Sequence, residues 1–146
     1  MRTIGIEIKG REVRIVVLEN NEEGIVDITG SYKPLKLEED EITENVILFR
    51  NTLHATFDSF NPDAIVIRWR NPKPAKGFND ENNFGSSPIS FKIEGLIQTY
   101  ESSKIAIIKP QTVTAFLKRN ELPIHAKYGY QTEALKMAYY FIKNNN

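Results

Sequence analysis

The stretch Ile4-Gly5-Ile6-Glu7-Ile8-Lys9-Gly10 decides the fold. Three isoleucines alternate with Gly5, Glu7 and Lys9, the period of a strand with one apolar face. Val13, Ile15 and Val17 resume the alternation just after Gly10 and Arg11, so the two runs predict a hairpin turning near Gly10. Asn20-Asn21-Glu22-Glu23-Gly24 has turn chemistry and little apolar content. A third strand is predicted from about Ile25 to Leu35, with a bulge at Gly30. The chain therefore opens as a meander.

Beyond the meander the period changes. The acidic run Glu38 to Glu41 leads into a helix with Thr43 as its predicted N-cap, where acidic neighbours suit the positive end of the helix dipole. Val46, Phe49, Leu53, Phe57 and Phe60 form one apolar stripe, and Asn61-Pro62-Asp63 stops the helix. Ala64 to Ile67 is a short apolar run of the kind buried in parallel sheets. A second helix carries Ile89, Ile93, Leu96, Ile97 and Tyr100, with Ser86 or Ser87 as cap and Pro88 in its first turn. Ile105 to Ile108 predicts another parallel strand, and Pro110 opens a short helix with Val113, Phe116 and Leu117. A last helix carries Ala134, Met137, Ala138 and Phe141.

A meander followed by alternating helices and strands predicts a single α/β domain over residues 1–146. Its core is a mixed sheet of about five strands, the first one internal, with helices on both faces. Between strand and helix lies Asn71 to Pro88, rich in proline, glycine and asparagine. A loop of that length in a compact domain is usually functional or disordered. The part from Asn71 to Gly85 is expected to move in the free protein and to order with a partner.

Composition narrows the function. With no cysteine, disulfides, thiolate metal sites and a cysteine nucleophile are excluded. Glu7 and Lys9 interrupt the first apolar run and no stretch approaches about 20 apolar residues, so a cytoplasmic chain with no membrane segment is expected. The 19 basic and 19 acidic residues cancel, without the basic excess usual for proteins that hold DNA by its phosphates. No Walker-type or dinucleotide glycine motif, nucleophile elbow or zinc spacing of His54 and His125 is present.

Ile4–Gly10 resembles the first strand of RuvC-type resolvases and their RNase H-like relatives. The order of further pieces strengthens the likeness: Ile65–Ile67, Ser90-Phe91-Lys92-Ile93-Glu94, Lys109-Pro110-Gln111-Thr112 and Asn120-Glu121-Leu122-Pro123-Ile124. Together they resemble a small bacterial family of uncharacterised RNase H-like proteins. The resemblance implies an RNase H-like mixed sheet but carries over no activity. Active enzymes of that fold place carboxylates at the ends of the central strands and on the last helix, because two Mg²⁺ ions must sit close together against a phosphate. Glu7 falls at the first-strand position and Glu133 on the last helix; Glu94 lies on the middle helix. The fourth-strand position, a glutamate in resolvases, falls near Arg68-Trp69-Arg70, and two cations there repel Mg²⁺.

Each candidate also has a plainer role. Glu7 serves equally as a metal ligand or as an acid paired with Lys9, Lys92 or Arg68. Arg68, Trp69, Arg70, Lys73 and Lys76 form a basic cluster able to bind phosphates and stack a base, to make a protein contact, or simply to be solvated. Glu94 is most simply a surface acid and His54 a structural residue. Tyr128, Tyr130, Tyr139 and Tyr140 are divided between core and surface. The primary expectation is a degenerate, non-catalytic domain that binds a partner protein, with an antitoxin or immunity role suggested by its small size and neutrality, and with no metal or other cofactor. The alternative is a divergent Mg²⁺-dependent nuclease on structured nucleic acid, built on Glu7, Glu94 and Glu133. A third reading is phosphate or nucleotide binding through the basic loop.

Overall fold

The computed structural model describes residues 1–72 and 85–145. The elements run β1 (Arg2–Lys9), β2 (Glu12–Asn21), β3 (Gly24–Asp27), β4 (Leu35–Lys36), α1 (Thr43–Phe60), β5 (Ala64–Arg68), α2 (Pro88–Gln98), β6 (Lys104–Ile108), α3 (Pro110–Leu117), and, after a single 3-10 turn at Gly129–Gln131, α4 (Thr132–Asn144). The expectation of a mobile loop falls largely on residues 73–84, outside the described residues, as do Lys73 and Lys76.

The expected mixed sheet is present, with six strands rather than about five. Its order is β3-β2-β1-β5-β6, and β4 pairs with β2. β1 lies inside, antiparallel to β2 and parallel to β5. The single third strand predicted over Ile25–Leu35 is instead two short ones. Asp27 is the last residue of the first of them, and its carboxylate accepts a hydrogen bond from Thr29 N at 2.9 Å. Gly30 completes the turn at φ 70°, in the left-handed region open to glycine. Thr43 is not the helix cap either; Ile42 holds that place without a side-chain hydrogen bond, and Thr43 is the first helical residue.

Alternation along β1 divides the molecule into layers. Ile4, Ile6 and Ile8 join Ile15, Val17, Ile65 and Ile67 under α1 and α2, whose Leu53, Phe57, Ile93 and Ile97 complete that core. Thr3, Gly5 and Glu7 point the other way, toward α4. That helix lays Ala134, Leu135, Ala138 and Ile142 against Val16 and Leu18, and Met137 and Phe141 against Ala64 and Val66. Gly5 makes the close approach possible. A Cβ at this position would collide with the carbonyl of Ala134 and lie 2.9 Å from Ala138 N. The start of α4 is thereby fixed over the middle of β1, which places Glu133 near the ends of the central strands.

Candidate functional site

Glu7, Arg14 and Arg68 share the α4 face of the sheet, in alternation with Gly5, Val16 and Val66. Register aligns them in a row. Glu7 is the direct partner of Arg14 across β1 and β2. Gly5 pairs with Val66 across β1 and β5, and the same register carried on by one step past Ile6 and Ile67 brings Arg68 beside Glu7. One carboxylate thus stands between two guanidinium-bearing strands about 4.8 Å apart on either side. Arg14 Nη1 donates to Glu7 Oε1 at 3.4 Å and Arg14 Nε to Glu12 Oε2 at 2.6 Å. Burial works against the charge of Arg14, but its hydrogen bonds to and attraction by Glu12 and Glu7 outweigh it and hold its pKa above the ordinary arginine value. The partners expected for Glu7 are Lys9, Lys92 or Arg68; the hairpin register supplies Arg14 instead.

Across the row from Glu7, Arg68 Nε lies 3.8 Å from Glu133 Oε2, and Glu133 Oε1 accepts from Lys136 Nζ at 3.3 Å on the next turn of α4. Glu133 sits in the first turn of that helix, where the dipole favours an acid. The Arg68–Glu133 separation is too long for a hydrogen bond. Arg68 Nε is hidden from solvent without a hydrogen-bond partner, and its guanidinium donates to no described residue.

Of this row, Glu7 and Arg68 border a cleft of about 660 Å³ at the C-terminal ends of β1 and β5, walled on one side by α3. Glu7, Lys9, Arg68, Trp69, Gln111 and Lys118 line it. Crevices at the carboxyl ends of parallel strands are where open α/β sheets bind ligands. Trp69 is half-buried, its backbone N–H held by Ile108 O at 2.9 Å and its ring covered by Lys109 Nζ at 5.4 Å, within cation–π range. Sequence reasoning passes over Arg14, Gln111 and Lys118. Pairing across the two-residue turn at Gly10–Arg11 is the available signal for Arg14; no local pattern points to the other two.

Arg70 needs the firmest correction, since it is not part of an exposed basic cluster. It is 6% exposed. Its Nη1 reaches Glu94 Oε1 at 3.1 Å, its Nη2 donates to Ser90 O at 3.2 Å, and its guanidinium lies 4.6 Å from the Phe91 ring centre. Arg70 and Glu94 thus tie the end of β5 to α2, and Glu94 is spent on that pair rather than turned toward Glu7. His54 is structural, as expected: Nε2 meets Leu96 O at 3.0 Å and the ring packs on Tyr100. His125 is exposed in the loop before α4.

The donor set does not suit Mg²⁺. Hard divalent cations take several anionic or carbonyl oxygens at once, whereas the acids here, Glu7, Glu12 and Glu133, are interleaved with Arg14, Arg68 and Lys136. Among the described residues no three histidine, aspartate or glutamate side chains group as ligands for a metal ion.

A mixed sheet with an internal first strand, helices on both faces and a cleft at the ends of β1 and β5 defines the RNase H-like fold of RuvC-type proteins. The chain superposes on Thermus thermophilus RuvC with TM-score 0.69 at 13% identity, covering 99% of this chain and 96% of that one. A T. thermophilus RuvC in complex with Holliday junction substrate gives 0.66 at 13% identity, covering 99% and 97%. The fowlpox virus Holliday junction resolvase gives 0.55 at 10% identity, covering 99% of both chains. By sequence the chain belongs to the family described as protein of unknown function DUF3010, whose model matches residues 1–141. No curated protein matches it. Among the described residues, no helix is long and apolar enough to cross a membrane.

Proposed function

We propose that this chain is a degenerate, non-hydrolytic RNase H-like domain that acts by binding, and that its cleft receives the phosphate groups of a structured nucleic acid. The observation that carries the reading is Arg68. It lies one step beyond the Ile6–Ile67 pair, on the side of Glu7 where a hydrolytic site of this fold needs an anionic metal ligand, and its Nε has no hydrogen-bond partner among the described residues. A guanidinium lining a concave surface matches phosphate geometry, and Lys9 and Lys118 add charge to the same cleft. The built-in cations do the electrostatic work that bound metal would otherwise do, but they cannot activate water as a metal does. The likeness to resolvases solved with Holliday junctions supports a branched duplex as first probe.

A fluorescein-labelled four-way DNA junction, titrated by anisotropy in EDTA, tests this. Binding is expected without metal, and log K should fall with log salt by about 0.9 per phosphate contacted. Arg68→Gln should weaken binding and make that slope shallower by about one contact. No Mg²⁺- or Mn²⁺-dependent cleavage of junction, RNA–DNA hybrid or single strand is expected. Metal-dependent cleavage that disappears in Glu7→Gln would replace this reading with the divergent nuclease.

A further inference from the structure

Away from the cleft, the N-terminal half of α1 leaves apolar side chains in water. Leu48 is 66% exposed, Ile47 44% and Ile42 40%; they make up half of the large exposed apolar residues among the described ones. Clustering of this kind marks interaction surfaces, whereas single exposed apolar residues do not. Beside Leu48 a groove of about 550 Å³ runs between α1 and the segment 34–39, with Pro34, Leu35, Leu37 and Phe49 in its wall.

Acids stand beside this groove: Glu38 and Glu39 line it, and Glu41 and Glu44 flank the start of α1. Glu38, Glu39, Glu41 and Glu44 are all exposed, and none joins an ion pair among the described residues. Lys36, the one cation lining the groove among the described residues, leans toward Glu12 at 4.0 Å. The rim is held in place. Asn45 Nδ2 donates to Glu39 O at 3.3 Å, Ile42 N donates to the same oxygen at 3.0 Å, and Asp40 is fastened by Arg11 and Lys92. Glu39 keeps a left-handed φ of 46° within this bracing. A rim already ordered loses little entropy on docking.

We infer that this groove docks a basic amphipathic segment of a partner protein, its apolar side against Leu48 and Leu35 and its lysines or arginines against the nearby glutamates. Charge complementarity selects this occupant. A second copy joined two-fold through this face would set the same glutamates against one another, and a nucleic acid would be repelled by them. Helix-in-groove recognition uses anchors spaced i, i+3, i+4 and i+7, a pattern that an apolar groove beside a helix accepts. The inference does not depend on the cleft or on what binds there.

The experiment uses the full chain, isotopically labelled, and two helical peptides of the same apolar pattern, one Leu/Lys and one Leu/Glu. The Leu/Lys peptide should bind at least about tenfold more tightly, with amide shifts confined to residues 34–52. Leu48→Ser, and separately Glu38→Lys with Glu41→Lys and Glu44→Lys, should each weaken it about tenfold at unchanged melting temperature, while Arg68→Gln leaves it untouched. Equal binding of the Leu/Glu peptide, shifts centred elsewhere, or indifference to Leu48→Ser would overturn the inference. So would a concentration-dependent dimer that Leu48→Ser dissolves, since the occupant would then be a second copy.

Discussion

Arg70 Nη1 and Glu94 Oε1 lie 3.1 Å apart, with the arginine side chain 5% exposed and the glutamate 16%. The pair joins the residues that follow β5 to α2. Removing one partner leaves the other as an uncompensated, poorly solvated charge. Arg70→Ala should therefore lower the unfolding free energy by about 3–5 kcal/mol, part of it from lost packing on Phe91. Urea denaturation checks this; a loss under about 0.5 kcal/mol would put the residue back on the surface.

The Gly5 contact makes a different demand on the fold. Any Cβ there meets the backbone of α4, which cannot rotate aside as a side chain can. Gly5→Ala should cost about 1–3 kcal/mol or more, seen as a lower melting temperature, whereas Gly95→Ala, which meets open space, should cost nothing or stabilise. Equal melting temperatures for the two would contradict the close approach.

On the opposite face, Leu53 is fully buried between α1 and the sheet. Leu53→Ala should cost about 2–5 kcal/mol in the same denaturation experiment. Ile47→Ala, on the exposed side of the same helix, should stay within about 0.5 kcal/mol.

Asp40 gives a pH dependence. Hydrogen bonding from Arg11, opposed by partial desolvation and reinforced by Lys92, holds its pKa below the ordinary aspartate value of 3.8. A carboxylate lowered in the folded state contributes stability that is fully present above its unfolded pKa and is lost as pH falls through the folded one. The stability gap between the native chain and Asp40→Asn should be constant near neutrality and close below about pH 5. A gap that widens on acidification would reverse the sign and the argument with it.

Acids placed beside Glu7 and Glu133 should let the row collect metal. With Arg68→Glu and Lys136→Asp in one chain, Glu7 and Glu133 would gain two carboxylate neighbours in place of two cations. Millimolar Mg²⁺ or Mn²⁺ should then raise the melting temperature, as any ligand of the native state does, with no comparable effect on the native sequence. The same rise in the unaltered chain would show that its arginines do not exclude the ion.

How much of this is legible in the sequence depends on the range of each interaction. The alternation at Ile4–Ile8 and the stripe through Phe49, Leu53 and Phe57 repeat within a few residues, and both elements form as the pattern predicts. Pairing of Glu7 with Arg14 is within reach, since a two-residue turn after Lys9 sets it. The split of the third strand escapes a sequence reading because Gly30 fits a bulge as well as a turn, and only the Asp27–Thr29 hydrogen bond separates the two. Arg70 and Glu94 lie 24 positions apart in the sequence, and nothing local shows that the arginine is buried against α2.

Because Gly5 seats Ala134 directly on the backbone of β1, Glu133 is one residue from a point that cannot shift. Glu7 and Arg68 approach that point from strands fixed by their ladders. Side chains at positions 7, 68, 133 and 136 can then be exchanged while the main chain stays where it is. The electrical sign of this row is thereby uncoupled from the shape of the scaffold that carries it. A change of a few side-chain charges there would leave the fold as it is.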